Sequence, residues 1–168
     1  MIRLLFMVLL GVLSSTHAQT KSQKSGHRFA QTLHLVESGS FLFEANTVTP
    51  RTSTSFSLAN LDNYLAIDEG HVKARLPYFG VERFPDYNGP RSIQIDGVWQ
   101  SHSLKIKEKK KRLVLKFVVK DETGQHTVIM MINGSGWTNV AVRSLSRPSI
   151  SYYGKIKPLS EKTQVSVE

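Results

Sequence analysis

The feature that most restricts how this chain can fold is a two-residue rhythm of apolar and polar side chains running through its C-terminal half. Leu113, Leu115, Phe117 and Val119 fall on one side of an extended chain, with Arg112, Lys116 and Lys120 on the other. Such alternation is the mark of a β-strand with one face buried. Neighbouring segments repeat it: His102, Leu104 and Ile106 against Ser103, Lys105 and Lys107; Val128, Met130 and Ile132 against Ile129 and Met131; Thr138, Val140 and Val142 against Asn139, Ala141 and Arg143. The segments between them, Glu108 to Lys111, Asp121 to Gly124 and Asn133 to Gly136, are as short as hairpin turns. Parallel strands need a crossover of a dozen residues or more, so these strands are antiparallel neighbours in sequence order. Ser149 to Tyr153 is expected to close the meander.

The preceding segment carries weaker versions of the same pattern. Phe41, Phe43 and Ala45 alternate with Leu42, Glu44 and Asn46, and this strand should end near Pro50. Thr52 to Leu58 is a poorer strand. Tyr64 to Ile67 and Val72 to Leu76 form a candidate hairpin across Asp68-Glu69-Gly70, ending at Pro77, which cannot donate a ladder hydrogen bond. Tyr78 to Pro90 reads as a long loop. Upstream, Phe29, Ala30, Leu33 and Val36 recur at helical spacing and Gly39 follows as a stop, which predicts one amphipathic helix within 27–37. The expected fold is therefore mainly β: an antiparallel up-and-down meander of about eight strands, forming a barrel or curved sandwich of calycin or lipocalin outline, with one N-terminal helix.

The first 18 residues carry the parts of an export signal: Arg3, an apolar run from Leu4 to Leu13, and a small-residue exit with Thr16 and Ala18. The run is about half the roughly 20 apolar residues that a membrane-crossing helix needs. Cleavage near Ala18 would release a periplasmic or secreted chain without a membrane span. Residues 19–26 are then expected as a flexible leader, 27–158 as a single β-rich domain, and 159–168 as a flexible tail. The chain has no cysteine, which excludes disulfides, thiol chemistry and thiolate zinc sites. Its formal charge is +9, which favours anionic partners.

Few residues stand out for chemistry. His27, His34, His71, His102 and His126 lack the close spacing of a metal site, so no metal is expected. Ser135 sits between two predicted strands, whereas a nucleophile elbow requires a strand-to-helix turn. Asp68, Glu69, Asp86, Asp96, Asp121 and Glu122 all fall in turns or loops, where carboxylates satisfy local amides. The glycines are scattered and none opens a helix after a strand, so no phosphate-cradling loop and no cofactor are expected. Two features remain as candidate sites. Tyr78, Phe79, Phe84, Tyr87, Trp99, Tyr152 and Tyr153 could line the mouth of a ligand site. Lys107, Lys109, Lys110, Lys111 and Arg112, with Lys105 beside them, could grip an anion.

The segments Leu76-Pro77-Tyr78-Phe79-Gly80, Gly136 with Asn139-Val140-Ala141-Val142, and Ile150-Ser151-Tyr152-Tyr153-Gly154 resemble a family of secreted Bacteroidetes proteins, domain of unknown function 4251. The resemblance spans roughly 29–158. It implies export and a helix-plus-β architecture, and brings no catalytic residue or cofactor. The expected function is a non-catalytic periplasmic or secreted binding module for a small apolar ligand, a peptide or a glycan near the aromatic loop. One alternative is an interaction protein that binds anionic envelope polymers through the basic hairpin at 105–112; nucleic acid is not expected at an exported address. The other is a hydrolase assembled from scattered carboxylates and histidines.

Overall fold

The structure, a computed structural model, describes residues 16–51, 54–79, 92–145 and 147–159. Helix α1 (Thr16–Glu37) is followed by strands β1 (Ser40–Pro50), β2 (Phe56–Ser57), β3 (Tyr64–Asp68), β4 (His71–Pro77), β5 (Ser92–Lys107), β6 (Arg112–Asp121), β7 (Gly124–Asn133), β8 (Trp137–Ser144) and β9 (Ile150–Pro158). From β3 to β9 each strand pairs antiparallel with the next; β1 pairs with β3 on one side and β9 on the other, closing an eight-stranded barrel. The two-residue β2 is an appendage on β1 at Thr47 and Val48. Closure thus selects the barrel over the curved sandwich.

The alternation turns every second side chain inward. Phe41, Phe43, Leu65, Ile67, Leu113, Phe117, Met130 and Tyr152 are all essentially without solvent exposure and fill the interior. An eight-stranded barrel is just wide enough to be packed this way. The β3–β4 connection is a two-residue hairpin in which Glu69 and Gly70 both take positive φ, 46° and 93°. That pairing of angles matches the twist of the flanking strands.

Helix α1 covers the barrel end formed by three turns. Val36 is buried against the core, with Phe29, Leu33 and Leu35 packed beside it. The Gly39 carbonyl accepts the Glu69 amide, Lys111 donates to Ser25, and the Thr32 hydroxyl donates to the Gly134 carbonyl at 3.3 Å. The helix begins at Thr16, well upstream of the 27–37 expected, and runs through the stretch read as a flexible leader. No proline or glycine interrupts Thr16 to Ser25, and once a packed turn exists each added residue gains a hydrogen bond without a new nucleation cost. Residues 1–15, the body of the expected export signal, and 160–168, nearly all of the expected tail, lie outside the described residues.

The largest departure from the expected strand pattern is β5. A strand was expected only at Ser101 to Lys107, yet β5 begins at Ser92. Its two halves serve different neighbours: Ser92 to Val98 pair with β4, while Trp99 to Lys107 pair with β6, with a bulge between Trp99 and Ser101. The handover explains a second departure. His102, Leu104 and Ile106 share the inward parity of Phe117, Leu115 and Leu113, but β4 has already turned back at His71 and no strand among the described residues covers them from that side. Ile106 consequently remains 43% exposed.

Candidate functional site

The handover of β5 leaves two places where its backbone lacks a flanking strand, and the molecule treats them differently. Near β5's first half, side chains fill the gap. The Asp121 carboxylate accepts the Asp96 amide at 3.2 Å through Oδ2. Its Oδ1 accepts the Thr123 amide at 2.8 Å, the Gly124 amide at 3.1 Å and the Thr123 hydroxyl at 2.6 Å. Arg147 donates to the Ser92 carbonyl at 2.6 Å and lies over the Tyr78 ring, 5.1 Å from its centre. Beside them a small recess of about 140 Å³ is lined by Gln94, Thr123, His126, Ser144 and Arg147, among others.

His126 is the buried histidine of this cluster, 5% exposed. The Thr123 hydroxyl gives its proton to Asp121, so it accepts from His126 Nε2 across 2.8 Å, and Nε2 therefore carries the imidazole proton. Burial lowers the His126 pKa and Arg147 lowers it further, against the opposing pull of Asp121 at 3.4 Å. Burial by itself would raise the Asp121 pKa; the bonds from Thr123 and the Asp96 amide and the proximity of His126 outweigh it and leave it lowered. The cluster holds a neutral imidazole beside a carboxylate. It brings together two of the groups that the hydrolase alternative requires, but not in a working order. The threonine proton is committed to the carboxylate, and His126 Nδ1 is buried with no hydrogen-bond partner among the described residues. Its geometry is that of a staple across the gap.

Beside β5's second half, no such staple exists among the described residues. Ser101 to Lys107 hydrogen-bond to β6 on one edge, and no described residue pairs with the other. This edge leads into the basic hairpin. A short 3₁₀ turn at Glu108–Lys110 carries its tip, and Lys111 takes positive φ to complete it. Lys105, Lys107, Lys109, Lys110 and Arg112 are exposed, and among the described residues none has a carboxylate within ion-pair distance. The contact of Lys111 with Ser25 sets α1 against this tip and brings the exposed Lys24, next to Ser25, near it; Arg28, one turn along, lines the groove between α1 and the ends of β8 and β9.

The aromatic candidates are not one site. Tyr152 is fully buried and its hydroxyl donates to the Pro77 carbonyl at 2.9 Å; burial pushes its pKa far up. Tyr78 is buried nearby, under Arg147. Phe79 is exposed and stacks on Phe56. Trp99 stands at the other end of β4, stacked on His102 and held against Gly70. A seven-residue strand separates it from Tyr78, about 20 Å. Phe84 and Tyr87 lie outside the described residues. Two aromatics pair on the outer wall instead: Trp137 and Tyr153 stack at 5.2 Å, beside an open groove of about 1090 Å³ between α1 and the ends of β8 and β9.

A family profile described as domain of unknown function (DUF4251) matches residues 23–156, well over half of the chain. The chain belongs to that family. A crystal structure of a DUF4251 family protein from Bacteroides eggerthii DSM 20697 superposes with a TM-score of 0.66, at 16% identity over 83% of this chain and 95% of the other. At that identity the likeness concerns the fold. No curated protein matches. The matched region of this DUF4251 member starts within α1 and ends at Ile156, so it takes in the basic hairpin, the β5 edge and the staple.

Among the described residues no three His, Asp or Glu side chains converge to hold a metal, and no helix is long and apolar enough to cross a membrane. The free β5 edge and the part played by Arg147 have no local signal in the sequence, because both follow from which strands stop where. The inward parity of Ile150, Tyr152 and Ile156, by contrast, could have assigned Tyr152 to the core.

Proposed function

We propose that this DUF4251 member is an exported, non-catalytic binding module that holds an anionic chain molecule, a peptide or a polymer, at its basic end. The observation that supports this reading is the run of exposed hairpin cations, Lys105, Lys107, Lys109, Lys110 and Arg112, none of which has a carboxylate within ion-pair distance among the described residues. Other described cations do meet carboxylates: Lys157 meets Glu44, Arg75 meets Asp62, and His71 and Lys73 meet Asp96. A surface of unmatched cations raises the local concentration of anions and steers them to contact. Export is supported by the signal pattern of residues 1–18. An apolar ligand inside the barrel draws no support, since side chains occupy that space.

The test is retention on immobilised heparin. A Lys107→Gln, Lys109→Gln, Lys110→Gln variant should elute at lower salt than the parent. The slope of log affinity against log salt should fall by roughly 2 to 3, near one unit for each cation removed. Elution at the parent's salt concentration, with the fold intact by circular dichroism, would discard the reading.

A further inference from the structure

We infer that the free edge of β5, Ser101 to Lys107, is a strand-addition site for an extended acidic polypeptide whose acidic and apolar side chains alternate. The inference rests on the anionic-partner reading and specifies the partner.

Three observations converge on it. The first is the backbone. Along Ser101 to Lys107 every second residue turns its N–H and C=O away from β6, so about three donors and three acceptors form a ready ladder with no backbone partner among the described residues. The corresponding gap at β5's first half is stapled by Asp121 and Arg147, so the fold closes one gap and leaves the other open. The second is the chemistry of the two faces. On the inward side, Leu104 is only partly covered and Ile106 is 43% exposed, which offers apolar contact to alternate side chains of an added strand. On the outward side, Lys105 and Lys107 are exposed and have no ion-pair partner among the described residues. An added strand would set one set of its side chains beside Leu104 and Ile106 and the other beside the lysines, so the favoured sequence alternates apolar with acidic. In such complexes the main chain supplies affinity and alternate side chains supply specificity.

The third observation weighs against the simplest competitor, a second copy. Edge-to-edge pairing of two β5 strands would put Lys105 and Lys107 of both copies on one face, where like charges oppose pairing. The lysines that block self-association are the ones that would select an acidic strand. A polyanion without a peptide backbone would satisfy the lysines and leave the ladder unmade, which separates this inference from the broader reading.

The experiment uses the full mature chain and a synthetic peptide of alternating Glu and Val, about as long as the free edge. Two further peptides carry N-methyl groups on one or the other alternate set of backbone amides, with sequence and charge unchanged. The parent peptide should bind. One methylated peptide, lacking the donors that face β5, should bind at least tenfold more weakly while the other keeps its affinity. On binding, hydrogen exchange should slow at every second amide between Ser101 and Lys107. If both methylated peptides bind like the parent, the contact is electrostatic only: strand addition is overturned and the anionic-partner reading stands. If the parent peptide fails to bind while heparin retention still depends on Lys107, Lys109 and Lys110, strand addition is again overturned. Loss of both dependences would overturn the two together.

Discussion

Replacing Gly154 with Val is expected to leave a chain that cannot close its barrel. Gly154 lies on β9 opposite Ala45 of β1 and Thr138 of β8. A Cβ there would stand 2.0 Å from the Glu44 carbonyl oxygen and 2.7 Å from the Ala45 Cα. Both atoms are backbone, so no side-chain rotation relieves the overlap. Nor can β1 withdraw easily. The close approach coincides with its bulge between Ala45 and Thr47, which brings Val48 back into register with Tyr152 inside the barrel. The β1–β9 ladder is the one that joins the two ends of the meander, so its loss would open the whole sheet. Gly154→Ala should already cost roughly 3 to 5 kcal/mol, in the range reserved for severe lesions. That corresponds to a drop in Tm of about 10 to 20 °C, and the larger valine should abolish a cooperative transition. Thermal unfolding followed by circular dichroism decides the matter. An alanine variant within about 1 kcal/mol of the parent would show that the seam can yield.

The seam also marks how much could be read from the sequence. Where a strand has one face toward the core and a short turn at each end, its alternation and its turn chemistry agree, and β6, β7 and β8 follow from Leu113, Val128 and Val140 and their neighbours. The hairpin at Asp68 to His71 is legible for the same reason. The first half of β5 is not, because Asp96-Gly97 breaks its apolar run; its place in the sheet comes from pairing with β4. Pairing between distant strands is a tertiary property, and so is the edge that it leaves unmade. The basic run was legible as a run, but nothing local says that Ser25 meets Lys111 and brings Lys24 near it. Among the aromatics, Trp137 and Tyr153 escaped notice as a pair because diagonal neighbours on β8 and β9 meet only once the register is known.

The staple across the other gap gives the second large effect. Asp121→Ala removes four hydrogen bonds to one carboxylate and leaves the Asp96 amide without its acceptor. Bonds to a charged group contribute about 1.5 to 3 kcal/mol each but are not additive within one network, so a loss of roughly 3 kcal/mol is expected. The same cluster sets a direction for pH. His126 has its pKa lowered from 6.5 by burial, so the folded state binds fewer protons than the unfolded one at mildly acidic pH. Its contribution is complete above 6.5 and declines as the pH falls below that value. Asp121, lowered from 3.8, acts with the same sign in a more acidic window, complete above 3.8 and lost as protonation proceeds below it. The parent's Tm should therefore fall on acidification in two stages. His126→Gln should flatten the first, because its amide can still donate to the Thr123 hydroxyl and nothing remains to be protonated. Asp121→Ala should remove the second and steepen the first, since the imidazolium would then form without the carboxylate that offsets its burial. A parent Tm that does not change as the pH is lowered through 6.5, or a first stage that persists unaltered in His126→Gln, would show that the buried imidazole is not what couples this fold to acid.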